Sequence, residues 1–221
     1  MTWVKICGMT NLEDALTAVD AGADAVGFVF YEKSPRCVTV EGARQIVTKL
    51  PENVEKVGVF VNESPERVSG ITKGAGLTAA QLHGDEYKDP QCYSTVGKLL
   101  FCLPVANIVH QTTEPISEFV IPKFPKSVRV LLDSGTQELR GGTGQAFGWA
   151  EAQWLVSALA RLHSVVIAGG LTASNVEHAV EFLKPWGVDV VSGVEASPGK
   201  KDADKVRAFV KAVRDCDRKV S

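Results

Sequence analysis

Eight short apolar runs, most of them followed by a helical pattern, constrain this chain more than any other feature. They are Trp3–Cys7, Ala25–Phe30, Lys56–Val61, Ala79–His83, Lys98–Val105, Ser127–Asp133, Ser164–Gly169 and Gly187–Ser192. Val, Ile and Phe are frequent in them, as in strands covered on both faces. Between them lie helix signals. Asn11 reads as an N-cap, with Glu13 and Asp14 in the first turn and Gly22 past the end. Ser64-Pro65-Glu66 repeats the signal, with proline at the first helical position. Thr172–Leu183 and Asp202–Val213 also predict amphipathic helices, the latter through Val206, Phe209, Val210 and Val213. Residues 106–126 carry three prolines and no clean period, which predicts a short or degenerate fifth helix.

Eight βα units in 221 residues point to one (β/α)₈ barrel domain spanning 1–221. An open doubly wound sheet is the rival. It normally has fewer strands, and no GxGxxG opens the first βα turn here. A net charge of −2 leaves no electrostatic footprint for nucleic acid. The apolar runs fall far short of the ~20 residues of a membrane span, and residues 1–15 show no secretory pattern. Five scattered cysteines, without CxxC or Cys/His spacing, argue against disulfide or zinc frameworks. The expectation is a cytoplasmic protein with free thiols.

A barrel places its site at the C-terminal ends of the strands. Those ends read Cys7-Gly8, Phe30 with the following "YEKSPR", Val61-Asn62, His83-Gly84, Asp133, Gly169-Gly170 and Ser192-Gly193. "IAGGLT" (167–172) and "VSGVEASPGKKD" (191–202) put glycine straight after strands seven and eight. Barrels often hold phosphate there on backbone N–H groups, which need glycine for close approach. Gly169, Gly170, Ser192 and Gly193 are therefore candidate phosphate-binding residues. Cys7 is a candidate base, since a free thiol needs modest help to act near neutrality. Asp133 is a candidate acid if apolar walls hold its proton. Taken singly, the one reads equally as a small buried hydrophobe and the other as a turn cap. Arg36 could grip a planar carboxylate or lie solvated on the surface. His83 could touch substrate or merely end its strand.

Parity adds a structural expectation. Trp3, Lys5 and Cys7 share a face, so a Cys7 inside the barrel brings Lys5 inside too. A buried lysine needs a carboxylate, and Asp189 on the eighth strand is the candidate. The glycine-rich loop 135–149 is expected to cover the site. Trp149 and Trp154 are expected in the core, with an interface as the alternative.

Taken together, "KICGMT", "GFVFYEKSPR", "VGVFVN", "QLHGDE", "LLDS…GGTG", "AGGL" and "GVDVVSGVEASPGKKD" resemble one family, phosphoribosylanthranilate isomerase of tryptophan biosynthesis. The resemblance runs nearly end to end, weakest in 106–126. It implies a (β/α)₈ barrel and an Amadori rearrangement of N-(5-phosphoribosyl)anthranilate. It also implies Cys7 as general base, Asp133 as general acid and Arg36 on the anthranilate carboxylate, with no metal or organic cofactor. The implied partner is this small molecule alone, with no nucleic acid or membrane, on a monomer or homodimer. Gln145 and Gly148 depart from the lysine and aspartate usual after strand six, which bears on loop closure rather than on the reaction. The related histidine-pathway isomerase carries aspartate where Cys7 stands. A non-catalytic sugar-phosphate barrel would have no need of both Cys7 and Asp133.

Overall fold

Which side of each apolar run faces inward is settled by register. The computed structural model describes residues 1–84, 90–93, 95–104, 127–133 and 149–220. Its strands are β1 (Trp3–Cys7), β2 (Ala25–Val29), β3 (Glu55–Val61), β4 (Ala79–His83), β5 (Lys98–Pro104), β6 (Arg129–Asp133), β7 (Val165–Ala168) and β8 (Gly187–Val190). They close in sequential order into one barrel, every neighbouring pair parallel. The (β/α)₈ expectation therefore holds for the described residues.

Because side chains alternate, each strand feeds two cores. Inside the barrel lie Trp3, Ala25, Val57, Ala79, Leu100, Leu131 and Val166. The intervening residues, such as Ile6, Phe28, Phe60, Leu82, Leu132 and Ile167, pack outward against helices.

The described helices are α1 (Leu12–Asp20), α2 (Val40–Val47), α3 (Pro65–Ala75), α4 (Trp149–Leu159), α5 (Val176–Leu183) and α6 (Ala203–Val220). The cap signals act as read. Asn11 accepts from the Asp14 N–H, Ser64 accepts from the Arg67 N–H, and Gly76 ends α3 at φ 70°. The helix expected from Thr172 starts only at Val176. Asn175 ties residues 170–175 into a turn instead, donating to the Gly170 carbonyl and accepting from the Thr172 N–H. Trp154 corrects another expectation. Leu155, Val156 and Leu159 form the buried face of α4, which leaves Trp154 on its flank, 39% exposed. The degenerate fifth helix at 106–126 and the loop 135–148, with Gln145 and Gly148, lie outside the described residues, as does the side chain of Trp149.

The two chain ends are sewn together where the barrel closes. Trp3 donates its N–H to the Trp186 carbonyl, and Thr2 donates its N–H and hydroxyl to Asp217. The Lys201 N–H donates to Asp14 on α1.

The bottom of the barrel is plugged by Arg129, whose guanidinium lies 5.0 Å from the Trp3 ring and 4.5 Å from the Trp186 ring. Glu55 holds it through two bonds of 2.6 and 2.9 Å and also accepts from Lys98. Burial alone would raise the Glu55 carboxyl, but the Arg129 and Lys98 bonds outweigh it and hold it below the ordinary 4.5. Its stabilising contribution is therefore complete above pH 4.5 and is lost as pH falls through the depressed folded value. Glu55→Gln should cost roughly 1.5–3 kcal/mol at neutral pH and flatten the acid loss of stability. Urea melts of both proteins from neutral pH downward check this, and parallel curves would refute it.

Candidate active site

At the C-terminal mouth of the barrel lies one cavity, about 810 Å³ including its open entrance. Cys7, Arg36, His83, Asp133, Gly169, Gly170, Ser192 and Gly193 all line it. The structure thus brings together every site residue that the sequence singled out, from β1, β2, β4, β6, β7 and β8 or the loops that follow them.

Cys7 ends β1 and is buried, with its sulfur against the backbone of its β2 neighbour. That neighbour is Gly27, where a Cβ would sit 2.5 Å from the sulfur. The β2 strand therefore yields its side-chain space to the thiol. Asp133 ends β6 on the opposite wall, paired in register with Ala168. Gly8, at φ 83°, turns the chain away from the site, and the Arg36 stem packs where its side chain would be.

Two glycine turns form a cradle beside this pair. Gly169 and Gly170 have φ of 87° and 63°. Gly193 abuts the first turn so closely that a Cβ there would lie 1.9 Å from the Leu171 carbonyl oxygen. The backbone of both turns is thereby free of side chains at the cavity edge.

The Arg36 guanidinium is neither solvated nor idle. Its Nε and Nη2 donate to both oxygens of Glu195, at 2.8 and 2.6 Å. Glu195 belongs to a small hairpin after β8, formed by β9 (Glu195–Ser197) and β10 (Lys200–Lys201). It also accepts from the Lys201 ammonium at 3.1 Å and the Gly199 N–H at 3.2 Å. Burial would raise this carboxyl, yet the Arg36 bond and the Lys201 charge hold it below its ordinary value. The same bonds raise Arg36 further. The Nη1 atom, with no bond among the described residues, is left for a ligand.

Beneath the cavity a polar chain crosses the barrel. Asp189 Oδ2 and Lys5 Nζ are 2.9 Å apart, both almost fully buried, as parity anticipated. Lys5 also donates to Gln81 Oε1 at 2.6 Å. That contact fixes the Gln81 amide, so its Nε2 is the donor to His83 Nε2, 2.6 Å away. His83 then accepts at Nε2, which places its proton on Nδ1.

A profile of the family described as N-(5'-phosphoribosyl)anthranilate (PRA) isomerase matches residues 4–212. The chain belongs to that family. Among curated relatives, N-(5'-phosphoribosyl)anthranilate isomerase of Trichlorobacter lovleyi is 44% identical over 215 residues, 97% of this chain and 99% of that protein. Two solved phosphoribosylanthranilate isomerases, each 36% identical, superpose with TM-scores of 0.77 and cover 97% of this chain and 100% of theirs. One consists of monomers generated from the dimeric enzyme of Thermotoga maritima. The other is in complex with reduced 1-(o-carboxyphenylamino)-1-deoxyribulose 5-phosphate. As a phosphoribosylanthranilate isomerase, the chain is an enzyme of tryptophan biosynthesis.

Three residues that line the cavity or hold its side chains in this phosphoribosylanthranilate isomerase escaped the sequence reading. Gln81 had a signal, a polar side chain in an apolar run on the same face as Ala79 and His83. Glu195 and Lys201 had a weaker one. A partly buried arginine at a barrel mouth favours a carboxylate partner, but nothing in the spacing selects the hairpin after β8 to supply it.

Proposed function

We propose that this isomerase opens and rearranges its substrate with Asp133 as general acid and Cys7 as general base. The observation that supports the reading is that these two side chains, from β1 and β6, line one cavity beside two side-chain-free turns. The substrate's phosphate rests on the turns at Gly169-Gly170 and Ser192-Gly193. Its anthranilate carboxylate meets the Nη1/Nη2 edge of Arg36, whose other edge Glu195 fixes. His83, oriented by Gln81, contributes a polar contact at the wall of β4.

Asp133 gives its proton to the furanose ring oxygen, and the C1–O bond breaks. The nitrogen lone pair closes a C1=N iminium, which acidifies the proton on C2. The Cys7 thiolate takes that proton, and the C2–H electron pair becomes the C1=C2 bond of an enolamine. Tautomerisation moves a proton from the C2 hydroxyl to C1 and leaves the ketone. Asp133 is left ionised and Cys7 protonated, and exchange with solvent returns a proton to the one and removes it from the other, so acid, base and water account for the protons moved.

The chain acts as one barrel domain over 1–221, as a monomer or homodimer, in the cytoplasm. Five free cysteines support a reducing compartment, and no described helix is long and apolar enough to cross a membrane. Anthranilate fluorescence tests the activity. Freshly formed phosphoribosylanthranilate should lose its emission at a rate proportional to added protein. A signal unchanged by the protein would overturn the reading.

A further inference from the structure

Lys5 stands out as a fully buried ammonium that the mechanism above does not use. Replacing a buried ion pair by apolar residues is often neutral or stabilising, so Lys5 and Asp189 are poorly explained as a support for the barrel. Their position is more telling. Lys5 lies two residues before Cys7 on the same inward face of β1, directly below the thiol. Its ammonium has three N–H donors. One meets Asp189 Oδ2 and one meets Gln81 Oε1. Cys7 stands two residues further along the same inward face of β1, buried like Lys5 and within electrostatic reach of its ammonium. Asp189 is held by Oδ2 alone, since its Oδ1 has no partner among the described residues.

We propose that Lys5 is the counter-ion of the Cys7 thiolate, and that Asp189 limits how much of that positive charge the sulfur receives. Lys5 is thus a positioning residue that acts through Cys7 and need not touch the substrate. The inference rests on the assignment of Cys7 as base. The charged groups acting on the thiol from the surrounding elements are Lys5 on β1, Asp189 on β8, Lys201 on β10 and Arg36 after β2. Burial drives the thiol above its ordinary value, Lys5 and Lys201 draw it back, and Asp189 pushes it up again. The two members of the pair therefore act on the sulfur with opposite sign.

The test reads the thiol itself. Iodoacetamide alkylation is followed against pH and resolved peptide by peptide, because Cys37 and Cys92 are exposed and also react. The variants are Lys5→Met, Asp189→Asn and the apolar pair Lys5→Met/Asp189→Leu. Lys5→Met should move the Cys7 midpoint up by about one pH unit or more. That is about a tenfold loss of thiolate at neutral pH. Asp189→Asn should move the midpoint down, and the double variant should fall between the singles. The acid limb of kcat/KM should follow the same shifts. A midpoint that stays at the wild-type value in Asp189→Asn would overturn the proposal, even if Lys5→Met fails to fold. Should alkylation shift while kcat/KM does not, the counter-ion role stands and the assignment of Cys7 as base falls.

Discussion

Cys7→Ala and Asp133→Asn are each expected to lower kcat/KM by about 10²–10⁴-fold, the range for loss of a general base or acid. Both should leave affinity for a product analogue within a few-fold of wild type. The two side chains stand at opposite walls of one cavity, and neither is needed to hold the phosphate cradle or Arg36. Asparagine keeps the shape of Asp133 but has no acidic proton for the ring oxygen. Alanine leaves the room beside Gly27 empty without disturbing β2. Burial pushes the Cys7 thiol up, so below its pKa the basic form is a minor fraction that grows about tenfold with each pH unit. Activity of the unaltered enzyme should therefore keep rising with pH through neutrality. Decay of anthranilate fluorescence measures the rates, and calorimetric titration with the analogue measures binding. Turnover within tenfold of wild type by either variant would remove that residue from the mechanism.

Gly193→Ala is expected to raise KM about ten- to a hundredfold, the worth of about one charged hydrogen bond. The reason is contact and not backbone angle. The new methyl would overlap the Leu171 carbonyl at 1.9 Å, which is backbone and cannot swing aside. The turns after β7 and β8 must separate, and their N–H groups then no longer converge on one phosphate. Inhibition by inorganic phosphate should weaken in step with KM. Gly70→Ala is the control, since nothing lies within 4 Å of its added methyl on α3. An unchanged KM and an unchanged phosphate inhibition constant in Gly193→Ala would dissolve the cradle.

Strand position and strand face were legible in the sequence because the barrel imposes a strict local rule. Every residue on β1 declares its side of the sheet through its neighbours, so Lys5 and Cys7 had to be inside together. From there the need of a buried cation for a carboxylate led to Asp189, and the two are in contact. The rule stops at the strand ends. Glu195 meets Arg36 across 159 positions of chain, through a hairpin whose path no periodicity encodes. The start of α5 was misplaced for a similar reason. Thr172–Asn175 runs straight into a helical pattern, but the Asn175 amide bonds the Gly170 carbonyl and bends those residues around the cavity rim. Trp154 was misplaced because one large apolar residue says little about facing. Leu155, Val156 and Leu159 together define the buried stripe of α4 and leave it to one side.

The stitches between the two chain ends bear on how the enzyme is born. Synthesis releases Cys7 well before Asp189, Glu195 and Lys201, which lie 182 to 194 residues further along the chain. At 5–20 residues per second, the ribosome needs about 10–40 s to deliver them. Throughout that interval the thiol has neither its roof nor its lower neighbours in place. No nascent fragment that lacks the eighth strand can hold the Cys7 sulfur as the finished barrel does, so its surroundings are complete only once β8 and the hairpin after it have been made.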